Sequence, residues 1–399
     1  MRLLVVMTHY PCPPRTGSAI LAYRNIKELA QRHEIHLICA DDAKDRGDLG
    51  ELVKQMEFAG RKKRPLFIKL LRYAFYMLQG FPAWMITSMS HEMRRRVGEL
   101  IDQRNFDAIL LYEITAIQYC PQSSHKKMIV NIEDPPSIKL RRLRELEVWS
   151  LWQKLNLYLL EKSTARYEKS FFPEIAKILV LSESDLKDLR KQEALSNTGC
   201  VSYGVDPRPS SEILAYDART RGMIVFSGNM HHPPNIDAAL SFLQHTFPLV
   251  LREYPTATLW IVGANPDERV REAAKIFMEH VVLTGWVEDM SVYLQRATVC
   301  ICPVNLKIGV QTKILESLSW GTPVVTTSAG NSGIQAFSGT QLWVEDKSEK
   351  FAQRVVSLLR GENWHLFSEE GRKLIIDKFS WKRSADELER HLESIKMAA

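Results

Sequence analysis

The chain has 399 residues, of which 45% are hydrophobic and 25% charged, and it carries a formal net charge of +6. This length exceeds what one hydrophobic core usually supports, and the composition is that of a globular protein, so we expect two domains and no low-complexity tract. The six cysteines form no Cys-x-x-Cys pair and have no histidine pair at metal spacing, which argues against a structural zinc.

Short apolar segments alternate with helical patterns along the whole chain. One series of predicted strands lies at residues 3–7, 36–39, 108–111, 128–131 and 178–181, and a second lies at 224–227, 258–262, 281–284, 299–303 and 324–326. Strands that alternate with helices form parallel sheets, so the pattern predicts two doubly wound α/β domains, with a boundary in the turn-rich segment 203–210. The first apolar run is too short for a secretory signal, which predicts a cytoplasmic protein.

A glycine loop follows the first predicted strand. Gly17 and Ser18 lead into a predicted helix at residues 19–31. Backbone N–H groups of such a loop can approach a phosphate closely because glycine has no side chain in the way. An ordinary strand-to-helix turn is the alternative interpretation of this glycine.

Positive charge is concentrated in the first half of the chain. Residues 1–205 contain 32 Lys and Arg against 24 Asp and Glu. The charge lies in a segment from Arg61 to Leu78, in Arg94–Arg96 and in a segment from Lys139 to Trp152. A helix at 66–78 is too short to span a bilayer but long enough to lie on one, so these segments predict attachment to an anionic membrane surface. A packed helix with a solvated cationic edge is the alternative, and nucleic acid is disfavoured because no recognition motif accompanies the charge.

Acidic residues follow the predicted strand at 128–131. Glu133 and Asp134 lie at the carboxyl end of this strand, where α/β proteins usually bind their ligands. Glu113, after the preceding strand, is a weaker candidate for the same role. Their carboxylates can accept hydrogen bonds from sugar hydroxyls, or they can be turn and helix-cap residues.

A second glycine loop, Gly228 and Asn229, leads to a predicted helix that starts near Asn235. His231 and His232 in this loop are expected to be exposed, since no carboxylate or cysteine cluster accompanies them.

The most informative segment runs from Gly309 to Val325. It predicts a loop, a helix at 312–320 ended by Gly321 and Pro323, and a strand. Lys313 and Glu316 lie three residues apart near the helix N-terminus, where the dipole favours an anion. Lys313 can therefore bind a diphosphate and Glu316 the paired hydroxyls of a ribose, whereas the alternative is an exposed intrahelical pair.

Several motifs of the second half together resemble a known family. They are Phe226-Ser227-Gly228-Asn229, Leu283-Thr284-Gly285-Trp286-Val287-Glu288-Asp289, Lys313-Ile314-Leu315-Glu316 and Gly321-Thr322-Pro323-Val324-Val325, with Tyr203-Gly204-Val205-Asp206 before them and Phe379-Ser380-Trp381 after them. Their order and spacing resemble the donor half of retaining GT-B glycosyltransferases of the large family-four group. The resemblance implies an α/β GT-B fold, with an acceptor domain at 1–205 completed by a helix at 381–399 and a donor domain at 206–380.

The resemblance also implies a retaining hexosyl transfer from a nucleoside-diphosphate sugar, most naturally a UDP-sugar, to a glycan or lipid-linked acceptor. Lys313, Glu316, Glu133 and Asp134 are then the catalytic candidates. The donor would contact Gly17, Ser18, Gly228, Asn229, Gly285, Trp286, Val287, Gly309, Val310, Gln311, Thr312, Lys313 and Glu316. No cofactor and no metal are expected, because protein groups neutralise the leaving phosphate in this group.

One departure from the family pattern concerns the transferred sugar. The usual Glu-x7-Glu has its second glutamate at Glu316, but Ile308 occupies the first position. This keeps open an inactive nucleotide-sugar-binding or scaffold protein. A nucleotide-sugar epimerase of related fold is a further alternative, which the lack of a convincing acid/base pair disfavours.

Overall fold

A computed structural model describes residues 1–41, 46–60, 81–193 and 195–398. The chain divides into two compact units. Unit 1 contains Met1–Arg141, Leu155–Gly204 and Trp381–Ala399, and unit 2 contains Arg142–Lys154 and Val205–Ser380. Residues 142–154, which the sequence places in the first domain, group with unit 2. They pack with unit 2 because Leu146 is buried there and Arg269 donates a hydrogen bond to the Val148 carbonyl at 3.1 Å.

The first part of the chain alternates strands and helices. Its elements are β1 (Arg2–Met7), α1 (Gly17–Ala30), β2 (Glu34–Cys39), α2 (Leu49–Leu52), β3 (Gln55–Phe58), α3 (Ala83–Ile86), α4 (His91–Gln103), β4 (Ala108–Tyr112), β5 (Met128–Glu133), α5 (Pro136–Arg144), α6 (Leu151–Phe171), β6 (Lys177–Val180), α7 (Glu183–Glu193) and β7 (Thr198–Cys200). The last helix, α16 (Trp381–Ala398), also belongs to unit 1. Its Ser384 donates a hydrogen bond to the buried Asn25 of α1 at 3.1 Å.

Unit 1 is built on a parallel sheet with the strand order β3-β2-β1-β4-β5-β6-β7. Val5 in β1 is in register with Leu37 of β2 and Leu110 of β4, and all three side chains are buried. Strands of this kind are apolar on both faces because helices cover both sides of a parallel sheet. The order reverses at β1 and β4, and in such sheets ligands bind beyond the carboxyl ends of the strands at the reversal.

Unit 2 repeats the alternation. Its elements are β8 (Thr220–Ser227), α8 (Pro233–Ser241), α9 (Phe247–Glu253), β9 (Thr258–Val262), α10 (Glu268–Lys275), β10 (Val281–Gly285), α11 (Ser291–Arg296), β11 (Ala297–Cys302), α12 (Thr312–Ser319), β12 (Val324–Thr326), α13 (Ser328–Asn331), β13 (Trp343–Val344), α14 (Ser348–Leu359) and α15 (Trp364–Lys378). A single π-type turn, Phe242–Thr246, joins α8 to α9.

The sheet of unit 2 has the order β10-β9-β8-β11-β12-β13 and is also parallel. Its order reverses between β8 and β11. Cys300 and Cys302 lie buried in β11, as their period-two spacing predicts. The two predicted series of strands are therefore present, each extended by short edge strands that the sequence reading missed: β3, β7 and β13.

Within the described residues, no helix is both long enough and apolar enough to cross a membrane.

Candidate functional site

Helix α12 carries the two charged residues that the sequence singles out in unit 2. Ile314, Leu315 and Leu318 are buried and hold the helix against the sheet. Lys313 and Glu316 lie on the half-buried side. Burial lowers the pKa of Lys313 and raises the pKa of Glu316 to about 7, against the opposing influence of the Lys313 charge. Both side chains are partly buried and desolvated, so they are not an exposed intrahelical pair.

The Lys313 ammonium group is directed to the carboxyl end of β8. Its Nζ donates a hydrogen bond to Asn235 Oδ1 at 2.5 Å and lies 4.9 Å from the centre of the Phe226 ring. Asn235 in turn donates from Nδ2 to the carbonyl of Asn229 at 2.9 Å. The cation is thus held by a neutral amide and an aromatic face, and the carboxylate that influences its pKa is that of Glu316 on the same helix.

Gly228 is needed where this ammonium group approaches the loop. A Cβ built on Gly228 would lie 2.8 Å from Asn235 Nδ2 and 3.2 Å from Lys313 Nζ. Gly263, which follows the neighbouring strand β9, has even less space for a side chain. A Cβ on Gly263 would lie 1.8 Å from the Gly228 carbonyl oxygen. Both glycines have positive φ, 146° and 154°. The ends of β8 and β9 therefore come together only because both residues lack side chains.

The other predicted donor residues occupy loops after the strands of the same sheet. Gly285 ends β10 with φ 70°, and Trp286 beside it is 74% exposed. Gly309 adopts φ 51° in the loop between β11 and α12, and Gln311 closes that loop by donating to the Ile308 carbonyl at 3.1 Å. The remaining members of the predicted set are Val287 after β10, and Val310 and Thr312 at the start of α12. Since carboxyl ends of parallel strands share one edge of a sheet, these loops lie along that edge.

The N-terminal turn of α12 has no side-chain cap. Gln311 makes no side-chain capping hydrogen bond to the first turn. The turn therefore offers N–H groups and the positive end of the helix dipole beside Lys313.

Arg219 binds the C-terminal end of α12, and the sequence analysis did not predict this role. Its guanidinium donates to the carbonyls of Trp320 and Gly321 at 3.0 and 3.3 Å and to Thr322 Oγ1 at 2.6 Å. The group is buried against the Trp364 ring, 4.6 Å from its centre. A cation at a helix C-terminus stabilises the helix, so Arg219 positions the segment that carries Lys313 and Glu316. Its position just ahead of an apolar strand gives no sequence signal for this role.

In unit 1, the predicted residues Ser18 and Glu133 are brought together. Gly17 begins α1 after the N-cap Thr16, and Ser18 Oγ donates a hydrogen bond to Glu133 Oε2 at 2.9 Å. Glu133 Oε1 is buried without a hydrogen-bond partner. Burial raises the pKa of Glu133 to about 7. One oxygen of this carboxyl group is therefore oriented by Ser18, and the other is left for a ligand.

Glu113 and Glu133 share an unusual backbone conformation. They have φ of 74° and 61°, and they stand at the carboxyl ends of the neighbouring strands β4 and β5. Glutamate rarely adopts positive φ, and such strain collects at functional sites. Thr115 donates to Glu113 Oε2 at 3.2 Å and contacts the Thr8 hydroxyl at 3.0 Å. The strand ends of unit 1 thus present carboxylates and hydroxyls.

Of the two segments predicted to bind a membrane, the structure describes only the one from Lys139 to Trp152. The segment from Arg61 to Leu78 lies entirely outside the described residues. In the segment from Lys139 to Trp152, Lys139 forms an ion pair with Asp134 at 2.9 Å, and its side chain is 39% exposed. Asp134 is thereby engaged inside unit 1. Trp152, in contrast, is 80% exposed.

No group of three or more His, Cys, Asp or Glu residues that could hold a metal ion occurs in the described ranges. His231 and His232 are both exposed, as expected.

Comparison with known proteins agrees with this architecture. Residues 221–361 match the family model described as "Glycosyl transferases group 1". The chain is 24% identical over 370 residues to an uncharacterized 44.6 kDa protein in the cps region of Klebsiella pneumoniae, covering 89% of this chain and 90% of that protein.

Two solved structures illustrate the fold. HepE of Anabaena, in complex with UDP and glucose, is 12% identical and superposes with a TM-score of 0.68, covering 99% of this chain and 100% of HepE. TarM of S. aureus, in complex with Fondaparinux, alpha-GlcNAc-glycerol and UDP, is 11% identical with a TM-score of 0.65, covering 98% of this chain and 100% of TarM. The fold of the chain is therefore that of the GT-B class, and residues 221–361 within it match a glycosyltransferase family model.

Proposed function

We propose that the protein transfers a sugar from a nucleoside-diphosphate sugar, in particular a UDP-sugar, to a hydroxyl group with retention of anomeric configuration. The observation that carries this proposal is the Lys313 ammonium group beside Gly228, at the N-terminus of α12 and within the matched family region. The UDP bound in HepE and TarM supports the choice of nucleotide. The retention follows from the resemblance to family four.

The donor site accounts for each part of a nucleoside diphosphate. Lys313 and the N–H groups of residues 309–312 would neutralise the diphosphate, Glu316 would accept hydrogen bonds from the ribose hydroxyls, and the base would lie along Gly285-Trp286-Val287. Charge on the leaving diphosphate grows in the transition state, so a preorganised cation is most effective there. We infer that this cation and the helix N-terminus replace a divalent metal.

The acceptor site lies in unit 1 on this proposal. Glu133, oriented by Ser18, has one oxygen available for a sugar hydroxyl, and Glu113 stands at the next strand end. A carboxyl group suits a polyhydroxylated, uncharged acceptor, such as the end of a growing glycan or a lipid-linked sugar. The glycosides bound in TarM and the cps-region relative are in keeping with this class of acceptor. We expect the reaction to take place in the cytoplasm.

A ligand screen followed by a turnover assay tests the proposal. Thermal shift with UDP-, GDP-, ADP- and TDP-sugars reports donor choice, because a ligand at 100 times its Kd stabilises the folded state by about 2.7 kcal/mol. Release of UDP with a hydroxyl acceptor, and the anomeric proton coupling of the product by NMR, report transfer and its stereochemistry. An inverted product contradicts retention, and stabilisation only by a non-uridine nucleotide contradicts the UDP assignment.

An inactive nucleotide-sugar-binding protein is the second candidate, and Ile308 in place of an acidic residue favours it. Binding of UDP-sugars without transfer to any hydroxyl acceptor would support this candidate. Conversion of one UDP-sugar into its epimer, without release of UDP, would instead identify an epimerase.

A further inference from the structure

The first half of α6 exposes apolar side chains along its whole length. Residues 151–160 contain no buried residue, and the buried positions of the helix begin only at Glu161. Leu151 is 85% exposed, Trp152 80% and Leu159 58%. Leu155, 48% exposed, completes a stripe at spacings of one, four and eight residues from Leu151, which places these side chains on one side of the helix.

The charged side chains that α6 exposes are all positive. Glu161 and Glu168 are its two acidic residues, and both are buried, at 8% and 0% exposure. Glu168 accepts hydrogen bonds from the backbone and hydroxyl of Ser137 inside unit 1. The cations Lys154, Lys162, Arg166 and Lys169 lie on the exposed or half-buried surface. An apolar stripe with cations and no exposed acid is complementary to an anionic surface.

The dimensions of this segment fit a membrane interface better than a bilayer span. Ten helical residues extend about 15 Å, half the thickness of a hydrocarbon core. A contiguous exposed apolar patch on a globular protein usually marks a binding surface. Leucine and tryptophan are the residues that enter the boundary between headgroups and acyl chains, while lysines remain with the headgroups.

We propose that residues 151–160 of α6 insert into the interface of an anionic lipid membrane, with Leu151, Trp152, Leu155 and Leu159 in the acyl boundary and Lys154 and Lys162 on the headgroups. The four apolar side chains of this surface all belong to α6. The surface is independent of glycosyl transfer, since none of these residues belongs to the donor or acceptor site. A protein attached in this way would meet acceptors that are themselves lipid-linked.

Vesicle flotation of the full chain tests the attachment. We expect binding to vesicles of 30% phosphatidylglycerol in phosphatidylcholine at low salt, with weaker binding at high salt and little binding to pure phosphatidylcholine. The variant Leu155→Ser/Leu159→Ser should bind at least about tenfold more weakly, because two apolar side chains are removed from the interface. Ile276→Ser/Met278→Ser is the matched control, since those apolar side chains in unit 2 are 76% and 77% exposed and lie outside α6.

The depth of insertion is tested with brominated lipids. Trp152 should be quenched by bromine in the upper acyl chain, and Trp152→Phe should remove that quenching although eight other tryptophans remain. Unchanged binding of the Leu155→Ser/Leu159→Ser variant, or quenching that persists in Trp152→Phe, would overturn the proposal.

Two further outcomes identify another occupant of the stripe. A fall of several degrees in the Tm of the Leu155→Ser/Leu159→Ser variant without lipid would show that the stripe packs inside the protein. Conversion of a dimer to a monomer by the same variant would show that a second copy covers it. Either result overturns membrane insertion, and neither changes the expected binding of UDP, so failure here is distinguishable from failure of the proposed function.

Discussion

The candidate sites of the two units stand at equivalent places and use opposite chemistry. Each lies at the carboxyl ends of a parallel sheet. In unit 2 the site consists of a cation, Lys313, glycine loops and a helix N-terminus, whereas in unit 1 it consists of carboxylates at two strained strand ends, Glu113 and Glu133. The first arrangement attracts a phosphate, which every nucleotide carries. The second accepts hydrogen bonds from hydroxyl groups, whose number and direction differ from one sugar to another.

The family match is confined to unit 2, and the proposed function accounts for this. Under the proposed function, a diphosphate would require glycines and a cation at fixed positions, in keeping with a recognisable pattern at 221–361. A hydroxyl acceptor can be bound by many polar side chains. The predictions that follow test whether the units divide the work in this way.

The largest effect is expected for Lys313→Ala. Removal of the cation should lower the transfer rate by about 10²–10³-fold, as loss of one preorganised donor to developing charge does in other enzymes. Binding of uridine, which has no phosphate, should change little. Steady-state kinetics and uridine titration measure the two effects, with the exposed Lys275→Ala as control. Equal losses in both would identify a structural lysine.

Glu316→Gln should weaken UDP binding by about 1.5–3 kcal/mol, the usual contribution of a hydrogen bond to a charged group. The amide is isosteric, so the fold should be retained. Isothermal titration of the variant with UDP measures the change. Unchanged affinity would remove Glu316 from the ribose site.

Glu133→Gln should affect the other substrate. We expect the acceptor KM to rise by about tenfold or more, from loss of a hydrogen bond to a charged group, while the Kd of UDP stays constant. Glu51→Gln, an exposed carboxylate of unit 1, is the control. A loss of UDP affinity in Glu133→Gln would contradict the division of work between the units.

The pH dependence of uridine binding follows from the pKa of Glu316, which burial raises to about 7. If ribose hydroxyls donate to the ionised carboxylate, binding stabilises that form, so affinity should increase as the pH rises through the pKa. The increase should reach about tenfold between about pH 6 and pH 8, and Glu316→Gln should abolish it. A decrease over the same range would mean that the protonated acid is the binding form.

The smallest effect is expected for removal of divalent cations. Transfer should remain within about a factor of two after dialysis against EDTA, because Lys313 and the α12 N-terminus supply the positive charge. Activity lost in EDTA and restored by magnesium or manganese would show that a metal holds the diphosphate.

The strands of the central sheets were predictable because strands buried on both faces read as continuous apolar runs. The edge strands β3, β7 and β13 were missed because they are only two to four residues long. The helix that carries Lys313 was predicted to within one residue, since Gly321 and Pro323 mark its end.

The candidate sites were predictable only in part, because their partners are distant in sequence. Nothing local indicates that Asn235 binds Lys313, 78 residues away, or that Ser18 binds Glu133, 115 residues away. The positive φ of Glu113 and Glu133 is likewise imposed by the surrounding fold, since glutamate itself disfavours it. The ion pair that partly neutralises Lys139 depends on Asp134, and a count of charges along the chain does not reveal it.

The close approach of Gly228 and Gly263 limits how this protein can be engineered. A methyl group on Gly263 would overlap the Gly228 carbonyl, and one on Gly228 would press on Asn235 and Lys313. Libraries intended to change the donor would therefore lose most members that vary either glycine, whatever the new residue. Variation is better placed at Trp286, whose side chain is largely exposed, or at Ile308, which lies outside that backbone contact. The positions that cannot accept a side chain, Gly228 and Gly263, are thus separate in sequence from the positions that can be varied.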